Sequence, residues 1–411
     1  MFKAINENSR LSRESKLLLW LDFGFGLSTS LSGLFLSIYL WRLTESWVVN
    51  GIYNISLFVF VVVGFIAGGW MSKRKDRLIT FRLGISMMAF FFLAVIVFQE
   101  KVALFPSLFG MLNGLAQGFY WIAMLVIVYD VTNNDNRLRY FGWESGVMAF
   151  AGILGPLVSG YVIEWFPNLT GYIVVFAISL GIFILIIGGS FFLKQETFRS
   201  QTFLLPFIFK RSIKKSVWKK HFFGWFTMGL REGVILVLPP ILLYDIVQKE
   251  SLVGLLTVFF GIVTILSSQL LGRFGKKEYY HAYTLISAIG LILTTLVLIY
   301  EVNFTTVFIF MAGNAFFSSA IRICYTSYMY HLMSELPSSG KRLKTELIAS
   351  RQIFLTIGRI LPIIFFMMFA VGVDYKLMTW ILVMTSLTQC ILYFLMIENH
   401  NVHEYNSHLS S

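Results

Sequence analysis

Charged side chains are scarce in this sequence. Only 13% of its 411 residues are Asp, Glu, Lys or Arg, whereas 57% are hydrophobic and the mean hydropathy is +0.75. A soluble protein of this length needs far more polar surface to cover its core. Apolar runs of roughly 20 residues recur along the whole chain, and each is long enough to span a bilayer. The composition therefore excludes a soluble globular protein and predicts an all-α membrane protein.

Cysteine is nearly absent as well. The two cysteines, Cys324 and Cys390, both lie inside apolar runs, which excludes a disulfide framework and a cysteine metal cluster. The chain also lacks a G-x-x-x-x-G-K-[ST] phosphate loop and an H-E-x-x-H motif. We therefore expect no ATP hydrolysis, no other enzymatic activity, no metal and no cofactor.

Twelve hydrophobic segments are long enough to cross the hydrocarbon core of a bilayer as helices. Short loops join them, except for one longer basic stretch between the sixth and the seventh segment. The predicted spans are 17–41, 47–71, 78–98, 102–129, 139–163, 171–193, 221–244, 252–271, 279–300, 304–332, 345–371 and 375–397.

The basic residues between these spans are distributed unequally over the two sides of the membrane. With the N-terminus in the cytoplasm, 25 of the Lys and Arg residues lie on the cytoplasmic side, and only Arg42, Lys101, Lys249 and Lys376 lie on the other. This bias follows the positive-inside rule and predicts a multi-pass protein of the cell membrane with both termini cytoplasmic. The net charge of +12 is then assigned to the inner membrane face, next to anionic lipid of the bilayer, rather than to nucleic-acid binding.

Short sequence matches relate the two halves of the chain. Gly152 and Pro156 in the fifth span have the same four-residue spacing as Gly358 and Pro362 in the eleventh. The fourth and tenth spans each carry a polar stripe with i, i+4, i+8 spacing, which places its members on one helix face. The stripes are Asn113, Gln117 and Trp121, and Asn314, Ser318 and Arg322.

The longer basic stretch then divides the chain into two similar halves. The predicted organisation is a six-helix bundle over 1–193, a basic cytoplasmic linker over 194–220, a second six-helix bundle over 221–398 and a cytoplasmic tail over 399–411. The fold prediction is therefore an all-α protein of 12 transmembrane helices in two pseudo-symmetric bundles.

This plan resembles the major facilitator superfamily. The stretches "GGWMSKRKDRL" after the second span and "LLGRFGKK" after the eighth are similar to its glycine-then-basic signature, although both lack its acidic residue. The fifth-span "GILGPLVSG" is similar to the antiporter motif of that family, whereas "GMLNGLAQG" has Gly110 where proton-coupled members often carry arginine. The resemblance implies a transporter of small molecules whose first, fourth, seventh and tenth helices line a central cavity.

The charges inside the spans follow the same plan. The central parts of the third, sixth, ninth and twelfth spans carry none, and these are the spans that the resemblance places on the outside. A charge at the bilayer centre costs at least ~2.5–3.5 kcal/mol, so its presence indicates a function or an ion pair. The intramembrane charges are Asp22, Glu144, Arg231, Glu232, Arg322, Arg351 and Arg359.

Arg231 and Glu232 are adjacent in the seventh span and therefore point ~100° apart around the helix. We expect one of them to face the cavity and the other to face a neighbouring helix that carries an opposite charge. Thr227, one turn earlier, favours Arg231 as the cavity-facing member. Arg359 is expected either to line the cavity or to pair with Glu232, and a purely structural ion pair is the alternative to a role in transport.

Roles in transport can then be assigned to particular residues. Arginine stays protonated at physiological pH, so the predicted proton-coupling residues are the carboxylates Asp22 and Glu232. The predicted substrate-binding residues are Asn113, Gln117, Trp121, Arg231, Asn314, Ser318, Arg322 and Arg359.

The resemblance also implies residues that act where the halves touch as the inner gate closes. Glu144 is expected to meet Arg273, and Asp76 is expected to meet Arg351, either as gates or as static pairs. With the two central residues of the antiporter-like motif, the predicted gating residues are Asp76, Glu144, Gly155, Pro156, Arg273 and Arg351.

The sequence as a whole predicts a monomeric secondary transporter that works by alternating access. Proton-coupled efflux of a small amphipathic or anionic solute is the leading hypothesis, with that solute and protons as the partners. Uptake of a small organic or phosphorylated anion is an alternative that the four intramembrane arginines favour. A scaffold or receptor without transport activity is the alternative from another class.

Overall fold

The computed structural model describes residues 11–132, 137–193, 216–274, 279–334, 344–369 and 375–397. These segments are helical almost throughout, and none of their residues forms a β-strand. They contain twelve α-helices: α1 (Arg13–Thr44), α2 (Trp47–Arg74), α3 (Arg77–Phe98), α4 (Pro106–Val131), α5 (Arg137–Trp165), α6 (Thr170–Ser190), α7 (Ser216–Val247), α8 (Glu250–Phe274), α9 (Tyr280–Tyr300), α10 (Phe304–Ser334), α11 (Lys344–Phe369) and α12 (Tyr375–Leu387).

Eleven of the described helices are long and apolar enough to cross a membrane. The twelfth, α7, carries Arg231 and Glu232; its 32 residues extend over roughly 48 Å, more than the thickness of a hydrocarbon core. Helices suit this setting because each satisfies its backbone hydrogen bonds internally. The predicted all-α membrane fold is confirmed.

Three helix boundaries differ from the predicted spans. The start of the predicted fourth span is a short 3-10 helix, Gln99–Leu104, and α4 begins only at Pro106, a residue that favours the first turn of a helix. The helix α7 begins at Ser216, inside the stretch predicted as a linker. The helix α12 ends at Leu387, and a turn at 388–389 precedes a further helical segment that ends at 397. The rest of the linker and the C-terminal tail lie outside the described residues.

The chain divides into two compact units. Unit 1 comprises Met1–Phe203 and Gln248–Val258, and unit 2 comprises Leu204–Val247 and Phe259–Ser411. The helix α8 is therefore shared, because its first turns pack with unit 1 and the remainder packs with unit 2.

Within unit 1, glycines bring α2 and α4 into direct backbone contact. A Cβ atom on Gly118 would lie 2.7 Å from the Cα of Gly64, and one on Gly114 would lie 3.0 Å from the backbone nitrogen of Val61. A Cβ on Gly110 would lie 2.9 Å from the Cβ of Ser56. Close approach through small residues is a common way to pack helices in lipid. The same contact explains the glycine at position 110, since an arginine there has no room.

The helices α1 and α5 also meet through a small residue. A Cβ on Gly155 would lie 2.7 Å from the backbone nitrogen of Leu31, and the hydroxyl of Ser159 donates a hydrogen bond of 2.7 Å to the carbonyl of Leu31. Gly152, in contrast, has no neighbouring atom within 4 Å of its Cβ position. In this motif, α5 therefore contacts α1 at Gly155. Gly152, which matches Gly358 of the eleventh span and lies about one turn earlier, makes no such contact.

Within unit 2, α7 and α11 repeat the packing of α1 and α5. A Cβ on Gly229 would lie 3.0 Å from the Cα of Gly358, and a Cβ on Gly233 would lie 2.7 Å from the Cα of Arg359. The equivalent helix pairs, first with fifth and seventh with eleventh, thus pack closely in both units. This agreement supports the predicted internal repeat. It also fixes the rotation of α7 against α11, which decides where the charges of the two helices point.

Candidate transport site

Glu232 lies between two arginines from neighbouring helices of unit 2. Its Oε2 accepts hydrogen bonds from Nε of Arg359 at 3.1 Å and from Nη2 at 2.7 Å, and its Oε1 lies 3.3 Å from Nη2 of Arg322. The side chains of Glu232 and Arg359 are 17% and 19% exposed, whereas that of Arg322 is 65% exposed. Arg359 therefore makes the tighter contact, and Arg322 approaches the same carboxylate from an open side.

Arg231 points away from this carboxylate. It is 5% exposed, and its guanidinium reaches two hydroxyls, with Nη1 2.6 Å from Oγ of Ser318 and Nε 3.4 Å from Oγ of Ser386. Its Nη2 is buried and has no hydrogen-bond partner among the described residues. The adjacent residues of α7 thus face different neighbours, as their ~100° separation requires.

The hydroxyls that hold Arg231 are oriented by further hydrogen bonds. Ser318 donates to Oδ1 of Asn314 at 2.9 Å, and Ser386 donates to the carbonyl of Leu382 at 2.8 Å. Because each hydroxyl donates its proton to one of these acceptors, its oxygen lone pairs can accept a hydrogen bond from the guanidinium. The position of Arg231 is therefore set by α10 and α12 together.

These side chains surround a cavity within unit 2 that is open to solvent and has a volume of about 90 Å³. Its wall combines the charged and polar groups above with the apolar side chains of α7, α9 and α10. The lining residues are Met228, Arg231, Glu232, Ile235, Leu291, Asn314, Ser318, Ile321, Arg322 and Gln389. Six predicted residues meet here, because Arg359 contacts the cavity-lining Glu232 and the others line the cavity themselves.

In unit 1, Asp22 is fully buried in the first third of α1. Its Oδ1 accepts a hydrogen bond of 2.7 Å from the hydroxyl of Tyr120, and its Oδ2 has no hydrogen-bond partner among the described residues. The ring of Tyr120 stacks on that of Phe25. No ion pair of Asp22 is found among the described residues, so the carboxyl group differs from that of Glu232 in having no cation at contact distance.

The predicted polar stripe of α4 is engaged inside unit 1. Asn113 is 7% exposed and donates a hydrogen bond of 2.6 Å to the hydroxyl of Tyr53, and Gln117 donates one of 2.9 Å to Oδ1 of Asn113. Trp121 packs edge-on against Phe25, at 5.6 Å between ring centroids. Asn113 and Gln117 therefore form a hydrogen-bonded pair that is directed to α2, whereas Trp121 packs among aromatic rings.

The predicted gating residues occupy different settings. Asp76 caps α3 by accepting a hydrogen bond of 2.8 Å from the backbone nitrogen of Leu78, Glu144 is half-buried on α5, and Arg351 lies 4.4 Å from the ring centroid of Trp225. The side chain of Arg273 lies outside the described residues. Gly155 contacts α1 as described above, and Pro156 lies inside α5. The proposed pairs of Glu144 with Arg273 and of Asp76 with Arg351 remain predictions.

Sequence reasoning missed several partners. Arg42 donates a hydrogen bond of 2.8 Å to Oε1 of Glu250, which also accepts one of 2.9 Å from the hydroxyl of Tyr172. Ser386 and Gln389 belong to the twelfth span, which the family resemblance placed on the outside and which carries no charge in its central part. The run of polar residues in "MTSLTQC" is the sequence feature that could have indicated a polar contact in this span. No group of three His, Cys, Asp or Glu side chains suited to a metal ion occurs in the described part of the chain.

Taken together, membrane-crossing helices around a buried polar cavity define a membrane transport protein. Residues 18–361 match the family model of the Major Facilitator Superfamily, and the chain belongs to this family. It is a multi-pass transporter rather than an enzyme.

Two relatives extend over much of the chain. It is 28% identical over 344 residues to "Uncharacterized protein YqgE" of Bacillus subtilis (strain 168), a match that covers 84% of this chain and 80% of that protein. It is 29% identical over 205 residues to "Uncharacterized protein in sodM 3'region" of Geobacillus stearothermophilus, which covers 50% of this chain and 96% of that one.

Solved transporters share the fold at low sequence identity. The nucleoside transporter NupG matches with a TM-score of 0.72 and 13% identity, over 94% of this chain and 99% of that one. A bacterial homologue of the iron transporter ferroportin in the inward-facing state matches with a TM-score of 0.74 and 11% identity, over 93% of this chain and 98% of that one. The D-xylose-proton symporter matches with a TM-score of 0.69 and 14% identity, over 93% of this chain and 95% of that one. At these identities the likeness shows the fold alone.

Proposed function

We propose that this protein is a proton-coupled secondary transporter that exports a small amphipathic or anionic solute by alternating access. The observation that carries the proposal is the cluster of Arg231, Glu232, Arg322 and Arg359 around a cavity. Charges at this depth are expensive, and they mark substrate or ion pathways when they surround a cavity. A scaffold without transport activity needs no such cluster.

Coupling to protons is supported by the two carboxylates that lie deep in the spans. Oδ1 of Asp22 accepts a hydrogen bond from Tyr120, and Oδ2 has no hydrogen-bond partner among the described residues, so Oδ2 can take up a proton. Glu232 is held by two arginines, whose positions can change as substrate arrives. We assign proton loading to Asp22 and the link between proton and substrate to Glu232.

Export is the proposed direction, supported by the antiporter-like motif of α5 and by its close contact with α1 at Gly155. The surplus of arginine over carboxylate around the cavity favours a second candidate, uptake of a small organic or phosphorylated anion. In either case the protein is proposed to act as a monomer in the cell membrane with both termini in the cytoplasm. The gating assignments to Asp76, Glu144, Pro156, Arg273 and Arg351 belong to the same proposal.

The proposal is tested with purified protein in liposomes of known orientation that contain a pH-sensitive dye. A panel of acidic, neutral and basic solutes is added under an imposed pH gradient, and solute movement and internal pH are recorded together. We expect at least one solute to move against its gradient while protons move the opposite way. Movement of solute and proton in the same direction would contradict export and favour the second candidate, uptake. The absence of any solute-dependent proton flux would refute proton coupling.

A further inference from the structure

We propose that the substrate is a small organic oxyanion, such as a carboxylate or a phosphate monoester, and that its acidic group binds to Nη2 of Arg231. This inference rests on the proposed transport function and names the class of solute. It concerns the cavity inside unit 2, where a guanidinium nitrogen without a partner among the described residues lies in a wall of both polar and apolar side chains.

The first reason is that the guanidinium of Arg231 contacts no carboxylate among the described residues. Its hydrogen bonds are donated to the neutral hydroxyls of Ser318 and Ser386, and its Nη2 is buried without a partner among the described residues. A buried charge needs a counter-charge or strong hydrogen bonds to offset its lost hydration. An oxyanion in the cavity supplies both, and a neutral solute supplies only the weaker hydrogen bond.

The second reason is that the guanidinium is held in position before a ligand arrives. Ser318 and Ser386 accept from Nη1 and Nε, and each donates its own proton to another acceptor. The two hydroxyls therefore fix the plane of the guanidinium and leave the buried Nη2 without a hydrogen-bond partner among the described residues. A donor that is already oriented binds an oxyanion with little loss of side-chain entropy.

The third reason is the charge balance around the cavity. Arg231, Arg322 and Arg359 carry three positive charges, and Glu232 carries one negative charge in its ionised form. The difference, three minus one, leaves a net charge of +2. That surplus matches an acidic group with one or two negative charges and disfavours a cationic solute.

Arg322 provides a second, exchangeable contact for the same group. Its single contact with Glu232 is 3.3 Å long, and its side chain is 65% exposed, so turning away from that carboxylate costs little. Glu232 would keep its two hydrogen bonds from Arg359 in that event. The acidic group of the solute would then lie between Arg231 and Arg322, and its apolar body would contact Met228, Leu291 and Ile321.

The test uses the full-length protein in lipid nanodiscs and calorimetric titration with defined probes. Benzoate, octanoate and phenyl phosphate are compared with the neutral benzamide and octanamide, and with inorganic phosphate as an acid without an apolar body. We expect the organic anions to bind at least about tenfold more tightly than their neutral counterparts, since charge-assisted hydrogen bonds are roughly twice as strong as neutral ones. Equal binding of benzoate and benzamide would overturn the inference without any variant.

Variants then assign the effect to Arg231. Arg231→Gln should abolish the preference for the anion, Arg231→Lys should keep part of it because the charge remains without the planar fork, and Arg322→Gln should weaken it to a smaller extent. Lys101→Gln, at an exposed position of unit 1, removes the same charge away from the cavity and should bind like the unaltered protein. An unchanged preference in a folded Arg231→Gln protein would also overturn the inference.

The two proposals fail in different ways. If the anions bind through Arg231 and no solute is moved in liposomes, the proposed transport function is wrong and the oxyanion site stands. If a neutral or basic solute is moved and Arg231→Gln leaves that movement unchanged, the transport function stands and the oxyanion site is wrong.

Discussion

Arg359 donates two hydrogen bonds to the same carboxylate oxygen of Glu232, and the two residues lie on the helices α11 and α7, which touch through glycines. The pair is therefore set by backbone packing. Its neighbour Arg231 is directed to hydroxyls on α10 and α12 instead. One dipeptide of the seventh span thus serves two purposes, because its two side chains point to different helices.

The pair of Glu232 and Arg359 should stabilise unit 2. Removing one partner of a largely buried ion pair leaves the other charge without its counterpart and typically costs about 3 kcal/mol or more. We expect Glu232→Ala and Arg359→Ala each to lower the apparent Tm in detergent, and the double variant to lower it by less than the sum of the two. Additive losses in this double-mutant cycle would show that the pair contributes no coupling energy.

Asp22 should be required for coupling and dispensable for exchange. Asp22→Asn cannot carry a proton, so it should abolish accumulation driven by a pH gradient while it spares exchange of solute across the liposome membrane. Tyr120→Phe removes the hydrogen bond to Asp22 and keeps the carboxyl group, so it should retain coupled accumulation at a lower rate. Full pH-driven accumulation by Asp22→Asn would move the coupling role elsewhere.

Two glycines of α5 provide a matched pair of substitutions. Gly155→Ala should destabilise the protein by about 1–3 kcal/mol, because its Cβ would overlap the backbone of α1 at Leu31. Gly152→Ala, which meets nothing within 4 Å, should leave the apparent Tm unchanged or raise it, since alanine favours a helix over glycine by up to about 1 kcal/mol. Equal effects of the two substitutions on Tm would contradict the packing of α1 against α5.

The predicted orientation can be tested with fused reporters. Alkaline phosphatase, which is active only outside the cytoplasm, should be inactive when it is fused to either terminus. The same enzyme fused after Lys249, between α7 and α8, should be active, because that loop is predicted to lie outside. Activity at either terminus would contradict the prediction. It would show that the orientation is the opposite one or that the number of membrane crossings differs from twelve.

Much of the fold could be predicted from the sequence because hydrophobicity along the chain decides which segments cross a membrane. Lengths of about 20 apolar residues located all twelve helices. The sorting of charges by span identified α7 and α10 as cavity helices, but it missed the contributions of α9 and of the twelfth span. Boundaries were less certain where a helix extends into a polar segment. The start of α7 at Ser216 is such a case, since basic side chains next to a membrane are compatible with both helix and loop.

Pairing within the site depends on how each helix is rotated, and only the tertiary structure decides that. The sequence alone placed Arg231 and Glu232 on different faces of one helix, because a helix turns ~100° per residue. It left open whether Arg359 pairs with Glu232 or lines the cavity, and it offered no partner for Asp22. The structure joins Asp22 to Tyr120, which is 98 positions away in the chain, and Arg231 to Ser386, which is 155 positions away. Such contacts depend on which helices pack side by side and on how each is rotated, and neither follows from the pattern of side chains along one helix.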